Sequence, residues 1–89
     1  PNSVENVGLY SFYNCPLKSI TIGSSVSVLN NYAFAYCSNV SWIKILGLKP
    51  NIGGDPFDQL PNDVTLYVPL GTASSYTEIP WQRFTIIEY

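Results

Sequence analysis

The sequence repeats itself with a period of about 22–23 residues, and this period restricts the possible fold more than any other feature. Two apolar ladders run through the chain in equal steps: Ile20, Ile43 and Leu66, and Ile22, Ile45 and Val68. Upstream pairs repeat in a step that is shorter by one: Val7 with Leu29, Tyr10 with Tyr32, and Phe12 with Phe34, with Phe57 one further repeat along. Ladders with so nearly the same period indicate a structural unit copied along the chain.

Each unit contains one short strand in its pattern. Residues 20–22, 43–45 and 66–68 alternate apolar and polar side chains, which is typical of strands with one buried face. Turn-rich segments holding "YSF" or "YAF" separate them. One such unit cannot bury its own apolar edge, whereas stacked units bury a continuous core. The pattern therefore predicts a solenoid, with strands side by side in a parallel sheet and a return path in each coil.

Two motifs connect this solenoid to a known family. The patterns Leu17-x-x-Ile20-x-Ile22 and Val40-x-x-Ile43-x-Ile45 resemble the strand signature of leucine-rich repeats. With "SFYNC" and "AFAYC", they resemble the BspA-like, or treponemal-type, family of bacterial surface proteins, and "TLYVPLGTASSYTEIPWQRFTIIEY" is similar to the closing segment of such arrays. The resemblance implies a β-rich leucine-rich repeat solenoid, α/β by convention, with short parallel strands, turn-rich or short-helical return segments and a C-terminal cap strand.

The two ends of the pattern differ. We expect a single leucine-rich repeat domain over residues 1–89 with about three repeats, closed by a capping segment at 69–89. In that segment Pro80 breaks the chain, Trp81 and Phe84 cover the apolar end of the stack, and residues 84–87 add a last strand. The first residues enter directly in the repeat pattern, with Val4 matching Val26, so we expect further repeats or another domain before them in a longer protein.

The two cysteines occupy one repeat position, because Cys15 is followed one repeat later by Cys37 and one repeat after that by Leu60. A leucine shares with cysteine only a preference for the interior, so both thiols are predicted to be buried and free. A disulfide between neighbouring coils is the alternative, since adjacent strands lie about 4.8 Å apart. A zinc site would need histidine or a second cysteine pair.

Composition and charge exclude several functions. The net charge is −2 and the four Lys/Arg are scattered, so no basic stripe for nucleic acid is present. No apolar stretch approaches the roughly 20 residues that span a bilayer, so we expect no direct membrane insertion by this segment. The chain has no histidine for a catalytic triad. Asp55, Asp58 and Asp63 lack the ligand spacing of an EF-hand calcium site. The same residues and Glu78 lack the apolar pocket that a glycoside hydrolase needs around its catalytic acid. We therefore predict that the chain is not an enzyme and binds no metal or cofactor.

The candidate ligand-binding residues lie at the outward positions of the predicted strands. Outward strand positions predict one open face with five candidates: Trp42, Lys44, Tyr67, Thr65 and Thr21. A Trp there is hard to explain by packing and suits a protein interface or a sugar, although a neighbouring loop that half covers it would also account for it.

Other tyrosines belong to the turn-rich segments. Tyr10 and Tyr32 share one repeat position, and Tyr13 and Tyr36 are assigned to another. The expectation for these four is stacking along the convex side of the solenoid.

The resemblance implies a non-catalytic recognition module, secreted or at the cell surface, that binds a protein ligand such as a host or matrix component. Carbohydrate binding through the face of Trp42 and Tyr67 is the first alternative. A purely structural repeat or cap that carries another domain is the second.

Overall fold

The computed structural model describes residues 5–61, 63–78 and 81–89. Within them, every strand pairing is parallel. The strands are β1 (Asn6–Val7), β2 (Ser19–Ile22), β3 (Val28–Leu29), β4 (Trp42–Ile45), β5 (Asn51–Ile52), β6 (Thr65–Val68) and β7 (Thr85–Glu88). They form a four-stranded sheet in the order β2-β4-β6-β7 and a three-stranded sheet in the order β1-β3-β5. Two 3-10 helices, Ala73–Ser75 and Trp81–Arg83, precede β7.

The four-stranded sheet has the predicted register. Ile20 lies opposite Ile43, and Ile43 lies opposite Leu66, so the first apolar ladder is a row of buried neighbours. The strands begin one residue earlier than predicted, at Ser19, Trp42 and Thr65. Strand β7 begins one residue later than predicted and pairs with β6, as expected for a last strand. The leucine-rich repeat solenoid is therefore confirmed.

The three-stranded sheet was not predicted from the sequence. Its strands have two residues each, which is too short for an alternating pattern to be recognised. Val7 pairs with Leu29, and Leu29 pairs with Ile52. The repeat of Val7 and Leu29 in the sequence therefore corresponds to paired residues of this sheet. Each of the three coils thus contributes one strand to each sheet, and the core lies between them.

The turn-rich return segments are joined from coil to coil by their backbones. Phe12 N donates to Ala33 O at 2.7 Å, and Phe34 N donates to Pro56 O at 2.8 Å. The Phe12 and Phe34 rings are stacked with centroids 5.2 Å apart, and Phe34 and Phe57 follow at 5.9 Å. The repeated phenylalanine is therefore a column of rings along the stack.

The assignment of Tyr13 and Tyr36 to one repeat position is wrong. Asn14, Tyr36 and Gln59 share a left-handed backbone, with φ of 54°, 61° and 61°, so they are the equivalent residues. Tyr13 corresponds to Ala35, because Tyr13 N donates to Tyr10 O as Ala35 N donates to Tyr32 O. The step of 22 residues between equivalent positions therefore holds as far as Cys37, and the step of 23 residues begins after it.

Aromatic residues close the last coil. Phe57 is fully buried and contacts Trp81 and Phe84, each with ring centroids 5.4 Å away. Trp81 and Phe84 are both buried there, and their role as a cap stays a prediction. Pro80 and the Val4 match to Val26 lie outside the described residues. Tyr76 packs edge-on against Trp81 at 5.1 Å.

The buried hydroxyl of Tyr76 has no hydrogen-bond partner among the described residues. Burial, with a smaller contribution from Tyr89, raises the pKa of Tyr76 to about 12.

The cysteines are both free, but their burial differs. Cys37 is fully buried and its Sγ donates to Phe12 O at 3.1 Å, and burial raises the pKa of its thiol. Leu60 at the next equivalent position is also buried. The predicted burial is wrong for Cys15, which is only half-buried because its coil is packed by a neighbour on one side.

Candidate ligand-binding face

The outward side chains of the four-stranded sheet form two rows. The first row is Ser19, Trp42, Thr65 and Thr85, and the second is Thr21, Lys44, Tyr67 and Ile87. All five candidate residues therefore lie on one surface, which we call the strand face. Their position follows from the two-residue alternation of β-strands, since Ile20, Ile43 and Leu66 point to the opposite side.

Trp42 and Tyr67 form the aromatic centre of the strand face. Their ring centroids lie 6.2 Å apart with an interplanar angle of 75°, an edge-to-face arrangement. Trp42 is 36% exposed, which leaves much of its indole accessible to solvent. The ring that contacts Trp42 belongs to Tyr67 on the neighbouring strand β6, and it covers part of the indole.

Tyr89 and Lys44 form the other end of this centre. The Tyr89 hydroxyl donates to Ile45 O at 2.6 Å, which fixes the ring across the end of the sheet. Lys44 Nζ lies 4.6 Å from the Tyr89 ring centroid, in range of a cation–π contact. The ammonium group is held beside the Tyr89 ring.

Glu88 fixes the end of strand β7, directly before Tyr89. Its Oε2 accepts a hydrogen bond from Ala73 N at 3.0 Å, at the start of the first 3-10 helix. The backbone N–H groups of Ala73 and Gly71 lower the pKa of the Glu88 carboxyl. This carboxylate contact holds the outermost strand of the sheet at the residue before Tyr89.

Trp42, Lys44, Tyr67 and Tyr89 together line a shallow groove of about 340 Å³. A cavity of about 240 Å³ lies elsewhere, beside Lys49, Glu78 and Trp81. Its charged groups are already paired, since Lys49 Nζ lies 3.1 Å from Glu78 Oε1 and donates to Ser75 O at 2.9 Å. In contrast, Lys44 in the groove on the strand face forms no ion pair among the described residues.

Sequence reasoning missed three residues of this surface, Thr85, Ile87 and Tyr89. The alternation of β7 continues to the end of "FTIIEY", with Phe84 inward and Thr85, Ile87 and Tyr89 outward. Extending the outward positions past residue 84 would have found all three.

The described residues hold no group of three or more Cys, Asp or Glu arranged to bind a metal ion. Over the same residues, none of the helices combines the length and apolarity needed to cross a bilayer. The groove on the strand face presents aromatic rings, hydroxyls and one ammonium group.

A parallel β-solenoid of stacked coils is the architecture of a repeat protein. The family model described as "BspA type Leucine rich repeat region (6 copies)" matches residues 1–84, and the chain belongs to this family. Such repeats generally mediate protein interactions, their solenoids are typically non-catalytic, and the family is typically found on bacterial surfaces. No curated protein and no solved structure matches the chain.

Proposed function

We propose that the strand face binds a protein ligand, and that the protein acts as a secreted or cell-surface recognition module. The observation that carries this proposal is a cluster on a regular sheet, in which Trp42 and Tyr89 are exposed and Tyr67 is half-buried. Inward residues alone complete the core there, so packing does not require three large outward aromatics. Tryptophan and tyrosine are the residues that most often dominate binding energy at protein interfaces.

The groove also suggests which ligand groups it accepts. An apolar or aromatic side chain of the ligand would rest against the exposed indole of Trp42. A carboxylate of the ligand would lie beside Lys44, whose ammonium is held at the Tyr89 ring. A host or matrix protein with an apolar residue next to an acidic one fits this pair of contacts.

Carbohydrate binding is the second candidate, and the exposed indole of Trp42 favours it. Sugars stack on aromatic faces, and the perpendicular Tyr67 ring would form a side wall for a sugar ring. An array of extracellular-matrix proteins and an array of glycans, both screened with the whole chain, distinguish the two candidates. Signal on the glycan array alone would contradict a protein ligand.

The strand face itself is tested by Trp42→Ala against any ligand found in these screens. If Trp42 is an interface anchor, this substitution weakens binding by about 2 kcal/mol or more. The control is Leu48→Ala, which removes an apolar side chain that is 86% exposed and does not line the groove. Unchanged affinity in a folded Trp42→Ala protein would exclude this face.

We further propose that residues 69–89 act as a cap for the array. Tyr76, Trp81 and Phe84 are buried at the last coil, where they supply the apolar cover that a further coil would otherwise provide. Deletion of residues 71–89 is expected to abolish cooperative unfolding, as measured by circular dichroism. A stable, cooperatively folded truncation would contradict the cap.

A further inference from the structure

A second aromatic surface lies on the return segments, away from the strand face. Its members are Tyr10, Tyr13, Tyr32 and Tyr36, which we call the tyrosine cluster. Ring centroids are 5.2 Å apart for Tyr10 and Tyr13, 5.4 Å for Tyr10 and Tyr32, and 5.3 Å for Tyr13 and Tyr36. Tyr10, Tyr13 and Tyr36 are exposed and Tyr32 is half-buried. Four contacting phenol rings thus face solvent together.

The backbone conformation at three of these four positions is unfavourable for tyrosine. Tyr10, Tyr32 and Tyr36 have φ of 58°, 58° and 61°, in the left-handed region that bulky side chains rarely adopt. Such strain persists where another requirement outweighs it, and it is concentrated at functional sites.

The fold accepts smaller residues at these positions. Asn14 and Gln59 stand at the position equivalent to Tyr36 and have the same backbone conformation. Ala35 stands at the position equivalent to Tyr13. The fold therefore does not require a tyrosine at the positions of Tyr13 and Tyr36.

The third coil places carboxylates at the equivalent positions. Asp55 is equivalent to Tyr32, and Asp58 is equivalent to Ala35, at the border of the cluster. Tyr36 N donates to Asp58 O at 2.9 Å, so the backbone of Asp58 adjoins the backbone of Tyr36. The ion pairs among the described residues join Arg83 to Asp55 and Lys49 to Glu78, and neither involves Asp58.

Burial is the first cause that raises the pKa of the Tyr36 phenol, and Tyr13, Asp58 and Tyr32 raise it further. Of these neighbours, Asp58 is the one that carries a negative charge at neutral pH.

Aromatic faces attract cations through their quadrupole, and arginine is the cation most often found over them. The bordering carboxylate adds attraction of the same sign. We infer that the tyrosine cluster and Asp58 form a second binding surface, which takes an arginine-rich segment of a partner protein. This surface does not depend on the strand face, whose groove carries its own cation in Lys44.

The test measures the affinity of a fluorescent nona-arginine peptide for the whole chain by polarisation, at about 50 mM salt so that screening is limited. The double variant Tyr10→Asn/Tyr36→Asn removes two rings and keeps a residue type that tolerates the left-handed backbone, as Asn14 does. Each exposed cation–π contact corresponds to about 2- to 5-fold in affinity, so the double variant is expected to lose about 5- to 20-fold.

Two matched controls separate this surface from general charge attraction. Asp58→Asn and Asp63→Asn each remove one negative charge, and only the former borders the cluster. We expect a clear loss of affinity for Asp58→Asn and little change for Asp63→Asn or for Trp42→Ala.

Three results would overturn the inference. The first is no detectable binding of the peptide to the unmodified chain. The second is wild-type affinity in the double variant. The third is equal losses in Asp58→Asn and Asp63→Asn. Far-UV circular dichroism of each variant verifies that the compared proteins are folded.

Discussion

The phenylalanine column predicts that one residue type at one repeat position contributes very differently to stability. Phe57 is 0% exposed, whereas Phe12 is 41% exposed. The Phe57 ring has three aromatic neighbours, at centroid distances of 5.9 Å to Phe34, 5.4 Å to Trp81 and 5.4 Å to Phe84. The Phe12 ring has one, Phe34 at 5.2 Å. Phe57→Ala should therefore be the more destabilising substitution.

The expected magnitudes follow from burial and ring contacts. Full burial of a Phe side chain contributes roughly 1.5–3 kcal/mol, and each aromatic pair adds about 0.5–1.5 kcal/mol. We expect Phe57→Ala to lower the free energy of unfolding by about 4 kcal/mol, and Phe12→Ala to lower it by about 2 kcal/mol. A chain of 89 residues has a total stability of roughly 4–13 kcal/mol, so the first loss is a large fraction of the whole.

Urea unfolding followed by circular dichroism and by Trp fluorescence measures both changes. If Phe57→Ala does not fold, Phe57→Leu keeps the comparison possible, since a buried leucine retains part of the apolar contact. Equal losses for the Phe57 and Phe12 variants, or a larger loss for Phe12, would refute the reasoning that the last coil is the better packed one.

Three further predictions concern single side chains. Native protein should present Cys15 to iodoacetamide, while Cys37 reacts only after unfolding; absence of any titratable thiol without reductant would contradict this. Gln59→Gly should raise the free energy of unfolding by about 0.5–1 kcal/mol in urea titrations because it relieves a φ of 61°, whereas Gln82→Gly, which lacks that strain, should lower it. Tyr76→Phe should not lower stability at neutral pH. Burial raises the pKa of Tyr76 in the folded protein to about 12. The stability that depends on the neutral phenol is therefore complete below pH about 10 and is lost as the pH rises through 12. Tyr76→Phe should not show this loss of stability at high pH.

The strand face could be predicted because a strand alternates strictly. Once Ile20, Ile43 and Leu66 are placed inward, Trp42 and Tyr67 must point outward, whatever the rest of the chain does. Tyr89 was missed because the last strand does not follow the repeat: Leu66 pairs with Ile86, which comes earlier in the chain than a full repeat would place it. What this surface binds stays a prediction, since alternation determines position and not partner.

The return segments were harder to predict for a physical reason. Turns tolerate an added residue, so the step between repeats lengthens after Cys37 while both sheets keep their register. The longer step, applied to residues before Cys37, therefore paired Tyr36 with Tyr13, although the residue equivalent to Tyr36 is Asn14. The two-residue strands, such as β3, carry too short a pattern to be distinguished from turns.

The order of the four-stranded sheet has a mechanical consequence. Strand β2 and strand β7 occupy its opposite edges, so tension applied through the two ends of the chain acts along the stacking axis. Hydrogen bonds between coils are then loaded one after another, as in a zipper, and not sheared together. Each coil would release about 80 Å of contour length as it peels away. Optical-tweezer traces should show such steps at low force, so that the stack extends under load as a tether would.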